Sequence, residues 1–404
     1  MSRQRPAVAV IGGGPAGCAT AIALAQAGVE DVVLVDATLQ PPLRPCRTSP
    51  HGASPPPGAG VSDTRPPSSD RFTIGESIPP AATPLLRSLG VLDRVTSAGH
   101  RECPGSRSLW GSSEIGCNDF FLDPVGRGYH LDRAVFNEQL REAVAARGVE
   151  VRAGARFTHA RAAGGGFELR LESGDGGGVL AASFVVDATG VRGSFTRRLA
   201  IARNVVDRLV CSCAFADAPA GALGSDHTLL EAVEHGWWYA ARLPRGRAIV
   251  MLASDPETVR TRSFADPEGW RAALSGTELI GAEVADVAFP GGLDLITRAA
   301  PVMILSGVVG DRWLAVGDAA SAYDPIGAAG ITRALAHGIA AGPAIAGRMR
   351  GDGGAMLGRY QDRVFADFTD HVRLRATLYA AETRWANSPF WARRVRATTR
   401  AATV

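Results

Sequence analysis

The sequence predicts an α/β fold with an antiparallel sheet inserted into it, and three observations predict it. A short apolar run, Ala7-Val8-Ala9-Val10-Ile11, passes through a glycine-rich turn into a helical run and then a second apolar strand ending in Asp36. That is a β-α-β unit of about thirty residues. Between residues 205 and 300, segments alternate apolar and polar, as half-buried antiparallel strands do. At Trp313-Leu314-Ala315-Val316 a buried strand returns. The chain leaves its first fold, builds a second unit and comes back. Its 404 residues suit two to three units of about 150 residues each.

Each element follows from local pattern. The helix after the first strand runs through Ala19, Ile22, Ala23 and Ala25 and stops at Gly28. Residues 41 to 70 carry nine prolines and few large apolar side chains, which predicts a mobile surface loop. Residues 83 to 97, with Leu85, Leu86, Leu89 and Val91, read as a helix. So do residues 132 to 147, with Phe136, Leu140 and Val144 at helical spacing. Residues 149 to 152 and 167 to 171 are strands, and Gly164, Gly165 and Gly166 separate them. Residues 184 to 186 form a strand running into Asp187-Ala188-Thr189-Gly190. Residues 208 to 215, 237 to 243 and 248 to 252 supply the antiparallel sheet, and helical patterns follow residue 317 to the C-terminus.

Composition removes several chemistries. All 43 basic residues are arginine, so a lysine Schiff base and a lysine-bearing P-loop are excluded. A net charge of +3 gives no argument for nucleic acid. The uncharged stretch from residue 7 to 29 resembles a signal peptide, but Gly12, Gly13, Gly14 and Pro15 would break its apolar helix. No other stretch approaches a membrane span, so no membrane partner is expected. Six cysteines without Cys-x-x-Cys spacing predict no zinc site and fit a reducing cytoplasm. Cys211 and Cys213 would share one face of a strand.

Gly12-x-Gly14-x-x-Gly17 lies between a strand and a helix, with Asp36 ending the next strand. Glycines there permit a tight turn and close approach to a pyrophosphate. The helix N-terminus offers N–H donors, and Asp36 offers a carboxylate to ribose hydroxyls. The motif alone does not separate NAD from FAD. Later segments do so by resemblance. Gly317-Asp318, then Asp324-Pro325-Ile326-Gly327-x-x-Gly330 and a helix from Ile331, resembles the late flavin motif of the flavoprotein monooxygenases. Asp187-Ala188-Thr189-Gly190 and Asp132-Arg133-x-x-Phe136 match two further family signatures. Residues 74 to 80, around Gly75-Glu76-Ser77, look like the Gly-Glu-Ser segment of the tryptophan-halogenase-like branch. Residues 236 to 244 and the tail from Glu382 to Trp391 look like a sub-branch of maturases that hydroxylate a protein-bound tryptophan during quinone cofactor formation.

The resemblance implies a glutathione-reductase-like FAD domain from residues 1 to 40, 71 to 204 and 301 to 345, interrupted by the loop of 41 to 70. A substrate-binding antiparallel sheet covers 205 to 300, and a helical region covers 346 to 404. Gly12, Gly14, Pro15, Ala16, Gly17, Asp36, Arg133, Gly190, Gly317, Asp318, Pro325, Gly327, Ala328, Gly330 and Ile331 would then hold FAD. Glu76 and His235 are the candidate catalytic residues, with His130 a further proton-transfer candidate. Trp237, Trp238 and Tyr239 are candidates to hold substrate. On a strand, Trp237 and Tyr239 share one face and Trp238 takes the other, so at least one packs in the core. Arg393, Arg394, Arg396 and Arg400 read as a solvated basic end.

The implied activity is hydroxylation of an electron-rich aromatic ring, indole-like and free, carrier-bound or peptide-bound, through a flavin C4a-hydroperoxide. Dioxygen is the co-substrate, and electrons come from NAD(P)H or a separate flavin reductase. A partner polypeptide would carry a tethered substrate. The family's halogenases guide hypohalous acid with a lysine and carry Trp-x-Trp-x-Ile-Pro. This chain has no lysine, and its tryptophans are adjacent. A halogenase with another relay, a flavin oxidase or dehydrogenase, and a flavin-bearing chaperone remain alternatives.

Overall fold

The computed structural model describes residues 7 to 37 and 75 to 401, apart from 122, 175, 220, 290 and 291, and leaves out the side chains of 396 to 401. The proline-rich segment of 41 to 70 lies outside the described residues. Two large sheets organise the molecule. The first runs in the order Val309–Gly310, Trp313–Ala315, Phe184–Asp187, Val8–Ile11, Val32–Asp36, Glu150–Ala153. Its pairs are parallel except the first, which is antiparallel. Val8–Ile11, Val32–Asp36 and Phe184–Asp187 are buried at every residue, which is why they read as unbroken apolar runs rather than alternating ones.

The helix Pro15–Gln26 follows the first strand and is buried from Ala16 to Leu24. It packs against the helix Gly330–Met349 at close range: a Cβ on Gly338 would lie 2.6 Å from the Ala19 methyl, and one on Gly342 2.5 Å from that of Ala23. The helix expected over 83 to 97 is two short ones, Ala82–Ser88 and Leu92–Thr96. Gly90, at φ +66°, turns the chain between them, and the apolar spacing continues across the break because both pieces cover the same core. The helix Arg133–Ala145 begins where Asp132 caps it, accepting from the N–H groups of Ala134 and Val135.

The second sheet has eight strands in the order Ser321–Ala322, Leu295–Leu305, Arg203–Asp217, Arg247–Ser254, Gly236–Leu243, Thr228–Val233, Gly105–Leu109, Ile115–Asp119. It is antiparallel except where Thr228–Val233 meets Gly105–Leu109. It thus takes strands from either side of 205 to 300. Within that range the chain also forms three short helices, Pro256–Thr261, Pro267–Ser275 and Leu279–Glu283, the first two opened by prolines at the first helical position. These helices cover one face of the sheet through Trp270 and Ile280. The C-terminal helices Ala355–Ala381 and Pro389–Ala401 cover the other through Tyr379, Phe390 and Trp391. Cys211 and Cys213 do share that second face. Among the described residues, no helix is long and apolar enough to cross a membrane.

Candidate active site

Parallel pairing brings the motifs together. Ile11, Val35 and Asp187 lie side by side at the carboxyl end of the first sheet, with Ala315 beside Asp187. The turns that follow therefore meet: Gly12 to Gly17, Asp36, Ala188 to Gly190, and Gly317-Asp318. Open α/β sheets bind ligands in such a crevice. Gly12 adopts φ +112°, and a Cβ there would lie 2.2 Å from the Ala188 carbonyl oxygen, so no other residue fits the turn. A Cβ on Gly317 would lie 2.7 Å from that of Ala16, which locks the late motif onto the first helix. Asp36 is buried against Gly13. Asp187 accepts from the backbone N–H groups of Thr189, Phe195 and Thr196 and so shapes the turn carrying Gly190.

The crevice fits a dinucleotide. An added Cβ on Gly14, Gly190, Gly327 or Gly330 would meet nothing within 4 Å, so these backbones leave room for a bound group. Pro15, Ala16, Ala328 and Ile331 stand at the two helix starts that border the crevice. Ala328 takes φ +45° in the turn from Pro325–Gly327 to the helix. Asp324 anchors this turn. It accepts from Ile326 N, Arg375 Nε at 2.7 Å and the Tyr379 hydroxyl at 2.9 Å, and its own N–H donates to His371 Nε2. His371, Arg375 and Tyr379 are spaced four apart and so stand on one face of their helix. Arg375 also pairs with Asp207.

Where the two sheets meet, the crevice becomes polar. Asp318 meets solvent, yet protein surrounds it deeply enough for desolvation to raise its carboxyl to about 6, against the pull of Arg133. Arg133 donates to the Gly75 carbonyl oxygen at 2.6 Å and lies in the field of both Glu76 and Asp318. Gly75 takes φ +100°, a conformation that suits glycine. Glu76 is buried, and that burial raises it to about 7, with Arg133 opposing. Its Oε2 accepts from the Gly75 N–H, while Oε1 is buried with no hydrogen-bond partner among the described residues. Tyr239 is partly open beside Glu76, whose charge adds to burial in raising the phenol's pKa. Its hydroxyl meets Ser77 Oγ at 2.7 Å, and Ser77 Oγ meets His130 Nδ1 at 2.8 Å.

Three sequence expectations are corrected here. Trp237 and Trp238 are fully buried and line no open space. Trp238 packs edge-on against Trp270, and Trp237 donates to the Tyr379 hydroxyl, because both faces of the sheet are covered by helices. Of the three aromatic residues only Tyr239 reaches the crevice. His235 stands at the turn before Gly236–Leu243, against Glu234 and in the field of Arg262. Four residues of strand, about 13 Å, separate it from Tyr239. At the basic end, Arg394 is buried and bridges Asp207 and Asp255, while Arg393 pairs with Asp255 from the surface. Ser77, Asp187, Asp324, His371 and Arg375 were missed. Of these, Ser77, Asp187 and Asp324 carried a signal, their places within the Gly-Glu-Ser, Asp-Ala-Thr-Gly and late flavin motifs; His371 and Arg375 carried none.

Comparison with known proteins finds flavin-dependent enzymes. Residues 117 to 246 match the tryptophan halogenase family. A protein of Marinomonas mediterranea described as the putative FAD-dependent oxidoreductase LodB is 27% identical over 394 residues, 95% of each chain. A Pseudoalteromonas luteoviolacea protein that brominates a pyrrole-2-carbonyl group on a peptidyl-carrier protein is 24% identical over 68% of each chain. Among solved structures, the flavin-dependent halogenase CmlS aligns over 99% of this chain and 70% of its own, at TM-score 0.76 and 21% identity. The peptidyl tryptophan dihydroxylase QhpG aligns over 97% and 79%, at TM-score 0.74 and 24% identity. With the glycine-lined crevice and its polar end, these matches support an FAD-dependent enzyme that resembles the tryptophan halogenases.

Proposed function

We propose that this enzyme hydroxylates an electron-rich aromatic ring, indole-like and presented free or on a polypeptide. The observation that carries the reading is the chemistry of the crevice where the sheets meet. Its wall holds a carboxyl, a phenol and a guanidinium, Glu76, Tyr239 and Arg133, and no ammonium group, because the sequence contains no lysine. The relay that the family's halogenases use is thus missing. Gly12, Gly14, Pro15, Ala16, Gly17 and Asp36 would hold the adenosine diphosphate half of FAD, with Gly190 beside it. Arg133, Gly317 and Asp318 would hold its ribityl chain, and Pro325 to Ile331 would face its ring. FAD held there, with electrons from NAD(P)H or a separate reductase, would supply the activation of dioxygen, and the protein would position both partners and keep water out. Glu76, with a pKa near neutrality, would take the proton that the ring releases. Residues 205 to 300 are assigned as the substrate unit, and the free thiols of Cys18, Cys103, Cys117, Cys211 and Cys213 accord with a cytoplasmic protein. A peptidyl or carrier-bound substrate is supported by the named activities of the dihydroxylase QhpG and the brominase.

The match to the halogenase family favours a second reading, halogenation through a group other than lysine. One experiment separates them: product mass under labelled dioxygen with chloride and bromide present. One labelled oxygen atom per product and no halogen is the expected result. A halogenated product without label overturns hydroxylation.

A further inference from the structure

The protons of the chain Tyr239–Ser77–His130–Asp226 are fixed by its far end. His130 Nε2 lies 3.0 Å from the backbone carbonyl oxygen of Asp226. A carbonyl only accepts, so Nε2 carries a hydrogen. His130 is fully buried, which pushes its pKa down to about 4 and leaves the ring neutral with that one N–H. Nδ1 is then a bare acceptor, and the Ser77 hydroxyl donates to it. Ser77 has no second hydrogen, so its oxygen accepts, and the Tyr239 hydroxyl donates to Ser77. The phenol's proton therefore points to Ser77 and its oxygen lone pairs remain. Tyr239 is the aromatic residue of its strand that reaches the crevice, and the unpartnered Glu76 Oε1 is its neighbour. The phenol oxygen at this point accepts hydrogen bonds.

We propose that Ser77 and His130 are positioning residues that hold Tyr239 as an acceptor, so that the site selects an aromatic ring bearing its own N–H or O–H donor. The proposal rests on the aromatic-oxidation reading above and adds the feature of the ring that is recognised. A structural serine and histidine would affect all ligands alike; these two should affect only the distinction between a ring with a donor and one without.

The test uses the full-length, FAD-loaded protein with indole and 1-methylindole as probes, their binding followed by perturbation of the flavin absorbance. One hydrogen bond to a neutral acceptor predicts indole binding about tenfold tighter than 1-methylindole. In Ser77→Ala the Tyr239 hydroxyl loses its acceptor and turns its proton outward. The preference then vanishes while 1-methylindole affinity holds within about twofold. Tyr239→Phe loses the preference as well, and Ser77→Thr, which keeps the hydroxyl, retains it. A wild-type protein without preference, whether it binds both probes or neither, overturns the proposal, as does Ser77→Ala with the preference intact. No turnover is read, so a halogenated product in the labelled-dioxygen experiment sinks hydroxylation without touching this result.

Discussion

Glu76 concentrates the energetic cost of the site. A carboxyl buried among Gly75, Arg133 and Tyr239 keeps its proton to about 7, whereas in the unfolded chain it loses it near 4.5. Between those values the native state holds a proton that the unfolded state has released. The contribution of Glu76 to stability therefore falls as pH rises from about 4.5 to about 7, by about 3 kcal/mol. His130 and His371, each pushed down to about 4 by burial, act in the opposite sense over an overlapping interval, so the total profile hides the effect. The difference between wild type and Glu76→Gln isolates it. Urea denaturation of the flavin-free proteins should show the variant gaining on wild type as pH rises through that interval and levelling above it. Parallel profiles would refute the burial argument for Glu76.

At the scale of elements, the crevice depends on how closely two helices approach. Pro15–Gln26 and Gly330–Met349 bring their N-termini to the same end because Gly338 and Gly342 let backbone meet backbone. A Cβ on Gly338 would lie 2.7 Å from Ala16 O and 2.9 Å from Thr20 N, and neither backbone atom can step aside. Gly338→Val should destabilise the protein by roughly 1 to 3 kcal/mol, the usual cost of overpacking. It should also lower FAD affinity, since the two N-termini would separate. A thermal melt and a flavin titration check both; a variant with wild-type melting and wild-type affinity would contradict the packing account. The helix Ala355–Ala381 works on the same turn from behind, where His371, Arg375 and Tyr379 all meet Asp324. Its polar stripe has no local signal in the sequence, because the partner is 47 to 55 residues away.

At the scale of the whole molecule, the two sheets share one crevice, and FAD held as proposed would span it. A ligand that binds only the folded state stabilises it by mass action, about 2.7 kcal/mol at one hundred times its dissociation constant. Stripping FAD should lower the melting temperature accordingly. Asp318→Ala, which removes a carboxyl at the polar end of the crevice, should weaken FAD by about tenfold or more, the scale of a charged hydrogen bond, and shrink that gain. Full-strength binding by the variant would displace the late motif from the cofactor.

The elements that carry the cofactor motifs were legible in the sequence because they are local. A strand, a glycine turn and a helix are consecutive residues, and pairing four such strands in parallel puts their turns side by side without further instruction. The substrate half was not. Alternation along Gly236–Leu243 says that Trp237 and Tyr239 share a face, but not that the C-terminal helices cover one and leave the other partly open. Nor does it place Ser77 against Tyr239, 162 residues away, or Arg133 between Glu76 and Asp318. The sequence by itself determined the strand–turn–helix unit and its glycine turn, and by resemblance pointed to FAD. Tertiary packing decided which side chains border the crevice, because burial and proton position depend on neighbours that only the folded chain supplies.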